Sequence, residues 1–160
     1  MYSSSSWTEG WRRFLGLPTE SKALEILRRL YVKESQHTAV FAQHASRMHY
    51  PQFRAKLLEI AAQETKHLDW IGEKIKLLGG SLPEIPTIRP PAGNSWECLR
   101  EDLADESRCA GELLQHAACL EADLPDIADM LRRIYEEERK HRDEIRGMLM
   151  RSDPLSVRAA

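Results

Sequence analysis

Apolar residues recur at alternating intervals of three and four positions in four long stretches of the chain, as on one face of an α-helix. The stretches predict helices over about residues 19–48, 51–78, 95–122 and 125–150. Pro51 and Pro125 suit the first turn of the second and fourth helices. The glycine pair at Gly79 ends the second helix, and Asn94 or Ser95 caps the third. The pattern therefore predicts an all-α protein whose main unit is a four-helix bundle.

The segments outside the bundle are short. Residues 1–18 form an N-terminal aromatic segment in which Trp7–Leu15 predicts a short amphipathic helix, and its aromatic side chains are expected to cap the bundle or pack on a second subunit. Residues 19–151 form the bundle, and residues 152–160 form a tail that is too short for a further helix.

Each predicted helix carries a glutamate in its apolar stripe where leucine or isoleucine would normally stand. The four residues are Glu34, Glu64, Glu106 and Glu138. An unpaired buried carboxylate costs several kcal/mol or takes up a proton. A chain that keeps four of them in one core is therefore expected to bind cations there.

Two of these glutamates begin a Glu-x-x-His motif, Glu64 with His67 and Glu138 with His141. Residues three apart on a helix share one face, so each pair can reach the same metal ion. Four carboxylates and two imidazoles are the ligand set of a di-iron or di-manganese centre in a four-helix bundle. Zinc can occupy such a site adventitiously. The competing interpretation is an ordinary charged bundle in which the motifs arose by chance.

The second half of the chain repeats the first, which argues against chance. The offset is 72 residues for the lone glutamates and 74 for the Glu-x-x-His motifs. The repeated pairs are Glu34-Ser35 with Glu106-Ser107, Gln43-His44-Ala45 with Gln115-His116-Ala117, and Glu64/His67 with Glu138/His141. Two hairpins of matched length bring their carboxylates to similar heights, because a helix rises only about 1.5 Å per residue.

Further polar side chains lie near the predicted site. Tyr31 and Tyr135 each stand three residues before a proposed ligand, which suits either a phenol that supports the metal or an ordinary core tyrosine. His37 is close to the site in turn and in height and could support the ligands. Glu136 and Glu137 are predicted to lie on a solvated face beside Arg139 and Lys140.

Two segments resemble helices of the rubrerythrin-type di-iron proteins of the ferritin-like superfamily, Glu34-Ser35-Gln36 and Gln63-Glu64-Thr65-Lys66-His67. The resemblance covers about residues 20–150. It implies an antiparallel bundle with one long crossover between the second and third helices, and the proline-rich segment Gly79–Asn94 matches that crossover. The chain lacks the Cys-x-x-Cys pairs of the rubredoxin iron site in full rubrerythrins, so its electron donor would be external.

The resemblance also implies roles and an activity. Glu34, Glu64 and Glu138 would be terminal or bridging carboxylates, Glu106 the lone carboxylate of the third helix, and His67 and His141 the nitrogen ligands. Two iron ions, or alternatively two manganese ions, would react with hydrogen peroxide or dioxygen, as in a peroxidase or ferroxidase that defends against oxidative stress. The alternatives are an iron-binding or iron-storage protein without turnover, and a site like that of manganese catalase.

Composition narrows the setting. A chain of 160 residues with 42% hydrophobic residues can form one substantial core. Its net charge of −2 gives no reason to expect nucleic acid or lipid as a partner, and no apolar run is long enough for a membrane span. The three cysteines form an odd set without metal-binding spacing, which favours reduced thiols in a cytoplasm. A homodimer is the expected oligomer.

Overall fold

The computed structural model describes residues 20–90 and 92–155 and contains four α-helices and no strand within them. The helices are α1 (Glu20–Ala45), α2 (Pro51–Leu77), α3 (Ser95–Leu120) and α4 (Pro125–Leu149). The predicted all-α four-helix bundle is therefore confirmed. The N-terminal aromatic segment and its predicted short helix lie outside the described residues.

The first helix ends at Ala45, three residues earlier than predicted, because the chain tightens there. The amides of Ser46, Arg47 and Met48 each donate to a carbonyl three residues back, at 2.8–3.2 Å. This is the hydrogen-bonding pattern of a 3₁₀ turn. The Ser95 hydroxyl fixes the turn, since it donates to the Arg47 carbonyl at 2.7 Å and accepts from the His49 amide at 2.9 Å.

Backbone motifs fix both ends of the connection between α2 and α3. Gly79 adopts a φ of 75°, and the amides of Gly79 and Gly80 donate at 2.9 Å to carbonyls in the last turn of α2. This is a Schellman motif, which favours glycine at the left-handed position. At the other end, Asn94 is the cap of α3. Its side chain accepts from the Glu97 amide at 2.9 Å, and Glu97 accepts from the Asn94 amide at 2.8 Å.

The helices form two antiparallel hairpins, α1–α2 and α3–α4. Helix α1 is antiparallel to α2, because only the short turn of residues 46–50 joins them. It is also antiparallel to α3, because Lys33 pairs with Glu112 while His44 pairs with Asp102. Helices α2 and α3 consequently run in the same direction, and their connection has to return along the whole bundle. This confirms the predicted long crossover.

The core consists of two apolar clusters separated along the bundle axis. The first includes Leu27, Ile71, Leu113 and Leu131, and the second includes Phe41, Leu57, Leu99 and Ile145. On every helix the buried glutamate falls between the two clusters in sequence. The bundle therefore encloses a polar layer at mid-height. No helix among the described residues is long and apolar enough to cross a membrane.

Candidate metal centre

All six predicted ligands lie in this polar layer and are sealed from solvent. The exposed fraction is 1% for Glu34 and His141 and 0% for the other four, Glu64, His67, Glu106 and Glu138. Helices α1 and α3 each contribute one carboxylate, and α2 and α4 each contribute a carboxylate and an imidazole. The structure therefore brings together the six residues that the apolar phase and the Glu-x-x-His spacing selected.

Glu64 lies at the centre of the cluster, with an imidazole at each carboxylate oxygen. His141 Nδ1 is 2.8 Å from Glu64 Oε1, and His67 Nδ1 is 3.3 Å from Glu64 Oε2. The same His67 nitrogen is 3.6 Å from Glu34 Oε2. Ligand atoms of Glu64, Glu106 and His141 all lie within 4.8 Å of one another, close enough to share a metal ion.

The carboxylates have too few partners for buried anions. Within the described part of the chain, both oxygens of Glu106, both oxygens of Glu138 and one oxygen each of Glu34 and Glu64 lack a hydrogen bond. His141 Nδ1 also lacks one, so its short contact with Glu64 does not have hydrogen-bond alignment. Such groups cost several kcal/mol unless compensated. Four carboxylates balance the charge of two divalent cations, so this donor set fits a binuclear metal site.

The charges of the cluster are strongly coupled. Burial, together with the charge of Glu64, raises the pKa of Glu34 and of Glu106 well above the usual range, and raises the pKa of Glu138 to about 8. Burial also opposes ionisation of Glu64, but contacts with His141 and His67 hold its pKa well below the ordinary value.

His67 responds to the same charges. Burial would lower the pKa of this imidazole, yet contacts with Glu34 and Glu64 raise it to about 11. Glu64 and His67 therefore form the charged pair of the metal-free site, while the other carboxyls favour their protonated forms. Because a metal ligand has to be deprotonated, metal binding here would displace protons from these residues.

The outward nitrogens of the two imidazoles are held reciprocally. His67 Nε2 lies 3.1 Å from Glu137 Oε2, and His141 Nε2 lies 2.6 Å from Gln63 Oε1. Each partner is the residue directly before the motif glutamate of the other helix. Such contacts fix the tautomer and orientation of a metal-binding imidazole.

Glu137 differs from the sequence-based expectation of a solvated residue. Its side chain is 27% exposed and joins the site through His67, whereas Glu136 is exposed and pairs with Arg139. The repeat contained the signal for this role, because Gln63 and Glu137 occupy equivalent positions at the offset of 74 residues.

The two tyrosines and His37 flank the six ligands. The Tyr31 ring packs where a β-carbon on Gly72 would come within 3.1 Å of it, and the Tyr135 ring lies 5.6 Å from the Arg142 guanidinium carbon. Both rings pack against the first apolar cluster. A supporting role for either phenol stays a prediction. His37 approaches the carboxylates more closely, with Nδ1 3.8 Å from Glu106 Oε1.

An antiparallel four-helix bundle that buries carboxylates and imidazoles from all four helices defines the class of di-iron and di-manganese carboxylate folds. A family model described as a ferritin-like domain matches residues 22–152. The chain therefore belongs to the ferritin-like family. The resemblance to rubrerythrins within it stays a prediction. A comparison with curated proteins finds no match.

Several solved structures share the fold at low sequence identity. A bacterioferritin with a diiron site from Desulfovibrio desulfuricans is 23% identical, with a TM-score of 0.75 over 82% of this chain and 80% of that one. A ferritin-like, diiron-carboxylate protein from Bacillus anthracis is 19% identical, with a TM-score of 0.74 over 83% and 99%. A dodecameric thioferritin from Bacteroides fragilis is 16% identical, with a TM-score of 0.78 over 89% and 93%.

Proposed function

We propose that this protein binds two iron ions in its polar layer and uses them to reduce hydrogen peroxide or dioxygen, as a peroxidase or ferroxidase. The observation that carries the proposal is the set of four buried carboxylates whose oxygens largely lack hydrogen bonds, placed against two buried imidazoles. Iron and manganese both accept carboxylate and imidazole ligands. The diiron sites named for the D. desulfuricans and B. anthracis structures favour iron.

The bound ions supply two electrons, which hydrogen peroxide takes up with two protons to give two waters, or dioxygen to give hydrogen peroxide, while each Fe(II) becomes Fe(III). The protein holds the ligands in a rigid layer between two apolar clusters. Leu30, Phe41, Ala61, Ala110 and Ile134 are all buried and exclude bulk water from the neighbourhood of the ligands. The reductant that restores Fe(II) would be an external electron donor.

The first test is iron stoichiometry after anaerobic reconstitution with Fe(II), measured by elemental analysis. We expect about two iron ions per chain in the wild type and a loss of this binding in Glu64→Gln, since Glu64 contacts both imidazoles. Glu73→Gln is the matched control, because Glu73 is an exposed glutamate on the same helix. Fewer than about one ion per wild-type chain would overturn the proposal. So would unchanged binding in Glu64→Gln with a normal helical fold.

The second test is turnover. Mixing the Fe(II) protein with hydrogen peroxide should produce ferric absorbance faster than in Glu64→Gln, and peroxide should disappear in step. Rapid evolution of oxygen from peroxide by the manganese-loaded protein would instead support a site like that of manganese catalase.

Iron storage is the alternative function, and the similarity to a bacterioferritin and to a dodecameric thioferritin supports it. The two functions differ in particle size and in iron capacity. A homodimer in light scattering that takes up about two ions per chain would favour the enzyme. A closed multi-subunit shell that accumulates a ferric mineral far beyond this number would favour storage.

A further inference from the structure

Each of the four buried glutamates is followed three residues later by a side chain that can bind a metal. These side chains are His37, His67, Cys109 and His141. Residues three apart share a helix face, so all four point towards the same layer as their glutamates. His37 and Cys109 are also equivalent in the internal repeat, at an offset of 72 residues. The lone glutamates of α1 and α3 are therefore not alone.

The three imidazoles share one orientation. In His67 and His141, Nδ1 faces Glu64 and Nε2 faces an outer polar group. In His37, Nδ1 faces Glu106 Oε1 at 3.8 Å, and Nε2 faces the sulfur of Cys109 at 3.7 Å. His37 thus has the arrangement of a metal-binding histidine, with one nitrogen inward and the other held by an outer partner.

The inward nitrogen of His37 has no hydrogen bond, although its side chain is only 11% exposed. Ligand atoms of Glu34, His37 and Glu64 lie within 4.8 Å of one another. This group shares Glu64 with the second group of possible ligands, Glu64, Glu106 and His141, so the two groups together describe two adjacent metal positions bridged by Glu64. His37 belongs to the position on the α1 side.

We propose that His37 is a third imidazole ligand of the metal centre and that Cys109 orients it through Nε2. This inference rests on the proposed binuclear site and extends it, because four glutamates and two histidines would complete that site without His37. An imidazole from α1 makes the two metal positions chemically different, and it gives one of them a neutral ligand on the side where α3 offers only Glu106 and Cys109.

The test uses the full chain loaded anaerobically with Co(II), with proton NMR in H₂O and D₂O. A histidine that binds a paramagnetic ion through Nδ1 keeps its Nε2 proton, which gives a strongly shifted and solvent-exchangeable resonance. We expect one such resonance for each of His37, His67 and His141. His37→Gln should lose one resonance, His67→Gln should lose a different one, and His116→Gln, which removes an imidazole outside the layer, should lose none.

A second variant keeps the inference open to refutation if His37→Gln folds poorly. Cys109→Ala retains the imidazole but removes its outer partner, so one resonance should shift or exchange faster while the other two keep their positions. Bound Co(II) with resonances from His67 and His141 only, unchanged in His37→Gln and Cys109→Ala, would overturn the role of His37 and leave the binuclear site intact. Absence of bound Co(II) in the wild type would overturn the binuclear site itself, and with it this inference.

Discussion

Replacing Glu138 with glutamine should stabilise the metal-free protein at neutral and alkaline pH. Glu138 is 0% exposed, and neither of its oxygens has a hydrogen bond among the described residues. Burial, helped by the charge of Glu64, raises its pKa from the ordinary value of 4.5 to about 8. A carboxyl that holds its proton more tightly in the folded state than in the unfolded state lowers stability as pH rises between these two values.

The magnitude follows from the same interval. One pKa unit corresponds to about 1.4 kcal/mol, so the interval from 4.5 to about 8 corresponds to about 5 kcal/mol at most. This is a ceiling, because local opening can admit water to the carboxylate. Glutamine has nearly the same shape and no charge. The free energy of unfolding of Glu138→Gln relative to the wild type should therefore increase steadily between pH 4.5 and 8 and level off above that.

The assay is urea denaturation followed by circular dichroism, with a chelator present, over this range of pH. Glu136→Gln is the control, since Glu136 is exposed and its pair with Arg139 is worth no more than about 1 kcal/mol. Adding Fe(II) should reverse the order of stability, because only the wild type keeps the complete ligand set. A difference between Glu138→Gln and wild type that does not change with pH would refute the argument that a buried charge destabilises the metal-free fold.

Three further changes test the outer contacts and the scaffold. Glu137→Ala should weaken Fe(II) affinity about 10- to 100-fold in equilibrium dialysis by releasing His67, whereas Glu136→Ala should leave it unchanged; equal effects would contradict the contact. Gly79→Ala should lower the free energy of unfolding by about 1–2 kcal/mol, because its φ of 75° is unfavourable for alanine, and no loss would argue against the Schellman motif. Leu131→Ala should cost about 2–5 kcal/mol in thermal or urea unfolding, yet preserve the iron stoichiometry unless the clusters and the polar layer are coupled.

The periodicity of the sequence predicted the bundle because the apolar stripes are long and each helix has a recognisable start or stop. Pro51 and Pro125 begin α2 and α4 as expected. The end of α1 was less accessible to prediction. The hydroxyl of Ser95 lies 48 positions from Arg47 in sequence and ties down the turn after Ala45, which is a tertiary contact. The same contact explains why Asn94, and not Ser95, caps α3.

The ligands were predictable for a different reason. A glutamate in the phase of a core leucine contradicts the local preference for apolar residues, and only a compensating cation resolves the contradiction. Glu137 was not predictable from its own helix, because its neighbours Glu136 and Arg139 are exposed and the local pattern is that of a surface. Its role depends on the direction of the His67 ring on another helix. Helical periodicity carries no information about such a direction.

The internal repeat builds a site from two similar halves, but the halves differ where chemistry is tuned. At equivalent positions, a neutral Gln63 holds His141 and an anionic Glu137 holds His67. A carboxylate partner increases the basicity of an imidazole more than an amide does, so the two nitrogen donors are unequal. The same positions that the repeat makes equivalent carry His37 on α1 and Cys109 on α3. The fold thus supplies a nearly symmetric frame of carboxylates, and the residues around it distinguish one metal position from the other.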